Sequence, residues 1–313
     1  GKISCITCTA GTIAASAGAI FCPACAEGKY GTSTTVCTNC VPGKYSAGTG
    51  NTGCTACPNG KTQAVAGSGG CNTCPAGKHA GVDSACTDCA VGRYAANGSE
   101  SCVDCAAGTY ASTTGQSQCG VCAAGTFSGA KANSCVSCAI GTYQSSVGQD
   151  DCDVTPAGQY SGLGATQASN CPVGKFGATT GLGSCASCAI GYISSTAGFV
   201  TCDACLGGSI ASTTGLGVCT DCPSGSVSTS ASGTCTQCSA GKYTNTIQDA
   251  CITTPAGQFS PPSASSPTNC PSGKYTATSG LGFCTDCTAG TYQSAAGKIS
   301  CITCTAGTIA ASA

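Results

Sequence analysis

Thirty-four cysteines stand in this 313-residue chain, nearly all of them in C-x-x-C pairs. Thiols spaced this closely either hold a tetrahedral metal as thiolates or oxidise to disulfides. C-x-x-C…C-x-x-C is the ligand pattern of a zinc ribbon, but three observations favour disulfides. The pairs recur at nearly uniform intervals along the chain, whereas zinc sites would group them two by two. Cysteine at this density marks an oxidised scaffold, because a reducing cytosol would keep the thiols free. The third observation is which cysteines are missing.

First cysteines of the pairs run from Cys5, Cys22 and Cys37 to Cys301, with two gaps near Ala168 and Pro267. Counting those gaps, Cys5 to Cys301 holds 18 units of 15–17 residues. Segments beginning at Cys54, Cys152 and Cys251 align six units apart. The first carries Cys57 and Cys71, while the others carry Thr155 with Ala168 and Thr254 with Pro267. Two cysteines vanish together, as the loss of a bonded pair would leave them. A dead zinc site has no reason to keep Cys152 and Cys171 while losing the two positions between them. The second cysteine of each pair is therefore expected to bond the first of the next. That gives Cys8–Cys22, Cys25–Cys37, Cys40–Cys54, Cys57–Cys71, Cys74–Cys86, Cys89–Cys102, Cys105–Cys119 and Cys122–Cys135. It continues as Cys138–Cys152, Cys171–Cys185, Cys188–Cys202, Cys205–Cys219, Cys222–Cys235, Cys238–Cys251, Cys270–Cys284 and Cys287–Cys301. Cys5 and Cys304 are left over, with partners expected outside this window.

Other reactive groups are sparse. His79 is the single histidine and stands where other units place an aromatic residue; Asp150, Asp151 and Asp153 read as a solvated turn. No catalytic residue, cofactor site or metal site is expected, and no enzyme activity. Charged residues make up 7% of the chain at net charge −1, which leaves no basic face for nucleic acid. No apolar run approaches the ~20 residues that span a bilayer. The absence of an initiator Met and of a signal peptide suits an excerpt from a mature chain.

The elements that position the cysteines are equally periodic. Three residues after every second-cysteine slot stands a glycine, from Gly11 and Gly28 to Gly290 and Gly307, as a position needing φ > 0 or close chain approach would. Two residues later comes a large side chain, such as Tyr45, Tyr110, Phe176 or Ile210, expected to cover the disulfide as a miniature core. A carbohydrate-stacking platform is the alternative role for these rings. Thirteen-residue loops carry a second glycine four residues before the closing cysteine, for example Gly115 and Gly148, which reads as a turn. No helical period is visible. The expected fold is a small disulfide-rich all-β repeat, an elongated rod or solenoid of stacked short hairpins with little helix. One cross-link closing a loop near 15 residues contributes about 3 kcal/mol, less than the conformational entropy of ordering the unit. The units must therefore stabilise one another by stacking.

Longer periods organise the array. Gly1–Ala17 (GKISCITCTAGTIAASA) recurs letter for letter at Gly297–Ala313, an offset of 296 residues. Compared with Gly98–Thr114 the same stretch matches at only eight positions. Residues 1–313 read as one continuous array, a window on a longer tandem chain, with six-unit blocks near 5–102, 102–202 and 202–301. At about 10 Å per unit, roughly two strand spacings, 18 units would advance on the order of 180 Å.

The C-x-x-G-x-[YF]…C element, as in Cys40-Val41-Pro42-Gly43-Lys44-Tyr45…Cys54, resembles the single-disulfide module of tumour-necrosis-factor-receptor cysteine-rich domains. It is also similar to the ephrin-receptor-like cysteine-rich repeats of protist and algal surface proteins. The resemblance covers essentially the whole chain and implies cysteines paired across the glycine–aromatic loop. Where this chain departs from those families, in scarce charge and an exact long period, it leans towards structure over reception.

Asn97-Gly98-Ser99 is the one standard N-glycosylation sequon; Asn72-Thr73-Cys74 and Asn133-Ser134-Cys135 are weaker variants. Pro261 and Pro262 resemble hydroxyproline-glycan sites of algal wall proteins. The two cysteine-free loops, Thr155–Ala168 and Thr254–Pro267, are expected to offer lateral contacts or glycan attachment. The expected function is a structural subunit of an extracellular filament or surface appendage, such as a mastigoneme-like shaft or wall fibre, self-associating into fibres. A cell-surface antigen or receptor stalk is the alternative.

Overall fold

Every unit opens on a turn that only glycine makes without strain. In a computed structural model describing residues 4–81 and 84–310, φ at the glycines after the second-cysteine slots lies between 76° (Gly60) and 89° (Gly208). An L-residue with a side chain avoids that region. In the unit closed by Cys105–Cys119, the Thr109 amide donates to the Ala106 carbonyl (3.0 Å) across this turn. Strand Thr109–Tyr110 follows, then a loop, then strand Gly120–Val121, in antiparallel register Thr109↔Val121 and Tyr110↔Gly120. The units from Lys29 onward repeat the plan, with strands two or three residues long and each hairpin a separate two-stranded sheet, while the hairpin closed by Cys8–Cys22 has a single bridge, Thr12↔Ala24. Among the described residues there is no helix. The protein is a small, disulfide-rich all-β repeat.

Adjacent hairpins are joined by main chain. Between the Cys89–Cys102 and Cys105–Cys119 hairpins, the Cys105 amide donates to Gly92 O (2.9 Å) and the Gly92 amide to Ala111 O (2.9 Å). The Ala95 amide donates to Gln116 O (3.2 Å), and the Gly115 amide to Cys89 O (2.9 Å). The same four bonds recur around Gly191, with Cys205, Ala211, Ser194, Leu216, Gly215 and Cys188 in the corresponding places. Where the turn residue is Gln248, its backbone amide bonds Asn245 instead, and its side-chain amide donates to Cys222 O (3.3 Å).

Alternate hairpins touch through the glycine. A Cβ placed on Gly108 would lie 2.0 Å from the carbonyl oxygen of Gly148, two hairpins on; at Gly174 the same contact is with Gly215 O at 1.9 Å. The repeating glycine thus combines a left-handed turn with a close approach of two backbones.

The core differs from the expected one. Aromatic residues such as Tyr45, Tyr110, Phe127 and Phe176 are only half-buried, and Tyr292 is exposed. The buried places belong to the second cysteine of most pairs, Cys57 and Cys287 being half-buried, and to the small residue that follows the ring: Ala95, Ala111, Ser128, Ser161, Ser194, Ala211 and Ser260. Successive strand residues face opposite ways. Backbones at hydrogen-bonding distance leave room on the inner face for a small side chain, or for a glutamine folded back on its own loop as at Gln144, and the ring is left half-exposed.

Cα packing divides the chain into two compact bodies. One comprises Gly1–Ala139, Tyr143–Asp153 and Leu163–Gln167; the other comprises Ile140–Thr142, Val154–Gly162 and Ala168–Ala313. The same hairpin-on-hairpin stacking builds each.

Candidate functional site

The recurring site in this molecule is the contact between repeats, and it begins with the cystines. Sixteen are present, from Cys8–Cys22 through Cys57–Cys71 and Cys138–Cys152 to Cys287–Cys301. Each joins the second cysteine of one C-x-x-C to the first of the next. Cys5 and Cys304 are free; Cys5 is exposed and Cys304 half-buried. Cys5 lines a shallow cleft with Ile6, Ile20 and Phe21, and Cys304 lines another with Tyr292, Ile302 and Ile309.

Two hairpins lack sulfur and substitute hydroxyls. Thr155 and Thr254, fully buried in second-cysteine positions, hydrogen-bond Ser161 and Ser260 in the same loops, the latter at 2.7 Å. The four main-chain bonds remain: Thr155 donates to Gly141 O (3.0 Å) and accepts from the Gly181 amide (2.8 Å). The cysteine-free loops are therefore ordinary members of the stack. Their apices, at Leu163 and at Pro261 and Pro262, are exposed.

The small residue after the ring is a position that sequence reasoning missed. Ser128, Ser161, Ser194 and Ser228 each donate a hydroxyl hydrogen bond to a strand carbonyl one hairpin back, at Thr109, Thr142, Lys175 and Ser209 respectively (3.0–3.1 Å). Gln144 and Gln293 use the same slot differently, reaching the carbonyls of Asp151 (3.0 Å) and Ser300 (2.9 Å) in their own loops. The signal was legible as a run of Gly, Ala, Ser, Thr and Gln three residues after each glycine.

The scarce charges sit largely on one strand pair position. Lys78–Asp88 (2.9 Å), Arg93–Asp104 (2.7 Å) and Lys274–Asp286 (2.8 Å) bridge the two strands of a hairpin, and Gln159–Asn170 (2.8 Å) is a neutral copy. Lys131 also reaches Asp104 (3.1 Å) from the left-handed turn slot two hairpins on. These pairs are solvent-exposed and contribute at most about 1 kcal/mol each. His79 lies half-buried in strand Lys78–Ala80, opposite Thr87.

The candidate glycan residues are placed alike. Asn97 immediately precedes Gly98 (φ 73°), and Pro262 precedes Ser263 (φ 59°). Both occupy the exposed loop apex just before the turn residue whose carbonyl packs on a glycine two hairpins back, Gly60 and Gly225 respectively.

The family model described as "Tyrosine-protein kinase ephrin type A/B receptor-like" matches residues 92–127, 125–171 and 273–313. At those three positions the chain is similar to ephrin-receptor-like cysteine-rich repeats. The second match runs through the cysteine-free loop at Thr155–Ala168, so these ephrin-receptor-like repeats keep their form without a cystine. No curated protein matches the chain. Repeats of this kind are in general non-catalytic, and their many disulfides are those of an extracellular or cell-surface repeat protein. No helix is long and apolar enough to cross a membrane among the described residues.

Proposed function

We propose that this chain is a structural subunit of an extracellular filament or surface appendage, the shaft of a flagellar hair or a wall fibre. One continuous array of ephrin-receptor-like repeats over residues 1–313 would form it. The observation that carries the reading is the main-chain character of the junctions. Because the bonds around Gly92 and Gly191 use backbone groups only, such a junction depends on the repeating glycine and a small buried residue and tolerates any exposed side chain. An array extends by adding units without redesigning an interface. The letter-for-letter return of Gly1–Ala17 at Gly297–Ala313 supports regular assembly, which needs identical units at fixed intervals. Native material imaged by negative stain should show filaments with an axial period set by 18 units. Compact, monodisperse particles with no fibre would overturn the reading.

The match to an ephrin-receptor-like family favours a second reading, a cell-surface antigen or receptor stalk. A stalk would appear in the same images as single, unbranched projections from a membrane.

A further inference from the structure

We propose that Asn97 is the acceptor of an N-linked oligosaccharide. The residue heads Asn97-Gly98-Ser99 at the exposed apex of the hairpin closed by Cys89–Cys102. The backbone alone holds this apex in place. The Gly98 amide donates to Cys74 O (2.8 Å), the Ser99 amide to Ala96 O (3.2 Å), and the Gly98 carbonyl packs on the α-carbon face of Gly60. The Asn97 side chain takes no part in these contacts. A bulky substituent on its Nδ2 projects into solvent and leaves the stack intact.

The two rival sequons are built differently. Asn72 lies within strand Asn72–Thr73, paired with Lys61–Thr62, and its third position is Cys74, bonded to Cys86 and fully buried. Asn133 is followed by Ser134 and by Cys135, which is bonded to Cys122. An N-x-C sequon acts through a free thiol, and both thiols are consumed by cystines that define the fold. Only Ser99 keeps its acceptor hydroxyl, in a turn that needs no side chain for its stability.

The chemistry is a substitution without change of oxidation state. The Asn97 amide nitrogen attacks the anomeric carbon of a lipid-pyrophosphate-linked oligosaccharide. The new C–N bond forms as the C–O bond to the lipid pyrophosphate breaks, and the amide loses one proton to a base. The consequence is hydration of a surface poor in charge, where Val91 and Val103 of the same and neighbouring segments stand exposed.

The test is secretion of the chain from a eukaryotic host, followed by amidase deglycosylation and peptide mass analysis. The expected result is loss of one oligosaccharide mass, with Asn97 converted to Asp in the recovered peptide. Asn97→Gln and Ser99→Ala should each abolish the shift, while Asn72→Gln and Asn133→Gln leave it unchanged. Non-reduced mapping of Asn97→Gln should still find Cys89 bonded to Cys102, separating loss of the glycan from loss of the fold. An unmodified Asn97 peptide in secreted wild-type protein would overturn the proposal, as would a mass shift that survives Asn97→Gln.

Discussion

Gly108 shows how much one residue type carries here. Its φ of 80° excludes ordinary side chains, and the Gly148 carbonyl stands where a Cβ would go. Gly108→Ala therefore costs about 1–2 kcal/mol for the left-handed backbone and about 1–3 kcal/mol for the clash with an immovable main chain. Gly48 separates the two effects, since its φ is 72° but no atom lies within 4 Å of a Cβ there. We predict that Gly108→Ala lowers the denaturant midpoint clearly more than Gly48→Ala does. Equal losses would mean that the contact between alternate hairpins contributes nothing. The buried serines make a second residue-scale case. Ser161→Ala removes the partner of the Thr155 hydroxyl in a loop with no cystine, leaving a buried polar group unsatisfied at about 1–3 kcal/mol. Hydrogen exchange should accelerate in strands Gln159–Tyr160 and Ser169–Asn170 while distant hairpins keep their protection; an unchanged exchange pattern would deny the hydroxyl pair any structural role.

The hairpin is the element at which sequence was most legible. Cysteine spacing marked its base, the glycine after Cys105 marked its opening turn, and the joint replacement of two cysteines at Thr155 and Ala168 indicated what bonds what. Its inside was less legible. Tyr110 was expected to be core because large apolar rings usually are, yet Ala111 is buried and Tyr110 half-exposed. A strand of two residues cannot show a period, and the thickness of the gap between hairpins is a property of the stack, not of any one segment. The left-handed turns at Lys131, Ala231, Gln248 and Ser263 were hidden for a related reason: the fold imposes that conformation where no glycine announces it. The cysteine-free hairpins permit a direct test of the element's design. Thr155 makes the main-chain bonds that cysteines make elsewhere, and Thr155 and Ala168 are spaced as Cys89 and Cys102 are. Thr155→Cys with Ala168→Cys should therefore close a seventeenth disulfide and add about 3 kcal/mol. Intact mass two hydrogens below the dithiol form, with no labelling of the new thiols, is the expected outcome. Two alkylatable thiols beyond those of Cys5 and Cys304 in the folded double variant would show that this hairpin is splayed at its base.

At the scale of the whole molecule, the balance of forces available for assembly is unusual. The chain has 11 Lys and Arg against 12 Asp and Glu over 313 residues. The bridges at Lys78–Asp88, Arg93–Asp104 and Lys274–Asp286 lie within single hairpins and give a second chain little to hold. Exposed apolar side chains are more numerous and include Ile140, Leu163, Val173, Leu206, Val218 and Phe283. In the proposed fibre, contacts between chains would therefore rest on apolar burial and on backbone groups, neither of which is weakened by salt. At ~1 M ionic strength the Debye length falls to about 3 Å and surface charge attraction is largely lost, whereas apolar association persists. We predict that fibres of this protein keep their length and light-scattering signal from ~0.05 to ~1 M sodium chloride. Thiol reductant should dismantle them, because every cystine lost returns a loop of 12–14 residues to the freedom of the open chain. Fibres that dissolve on adding salt alone would place the cohesion in charged groups and count against an assembly held by the features that repeat along this chain.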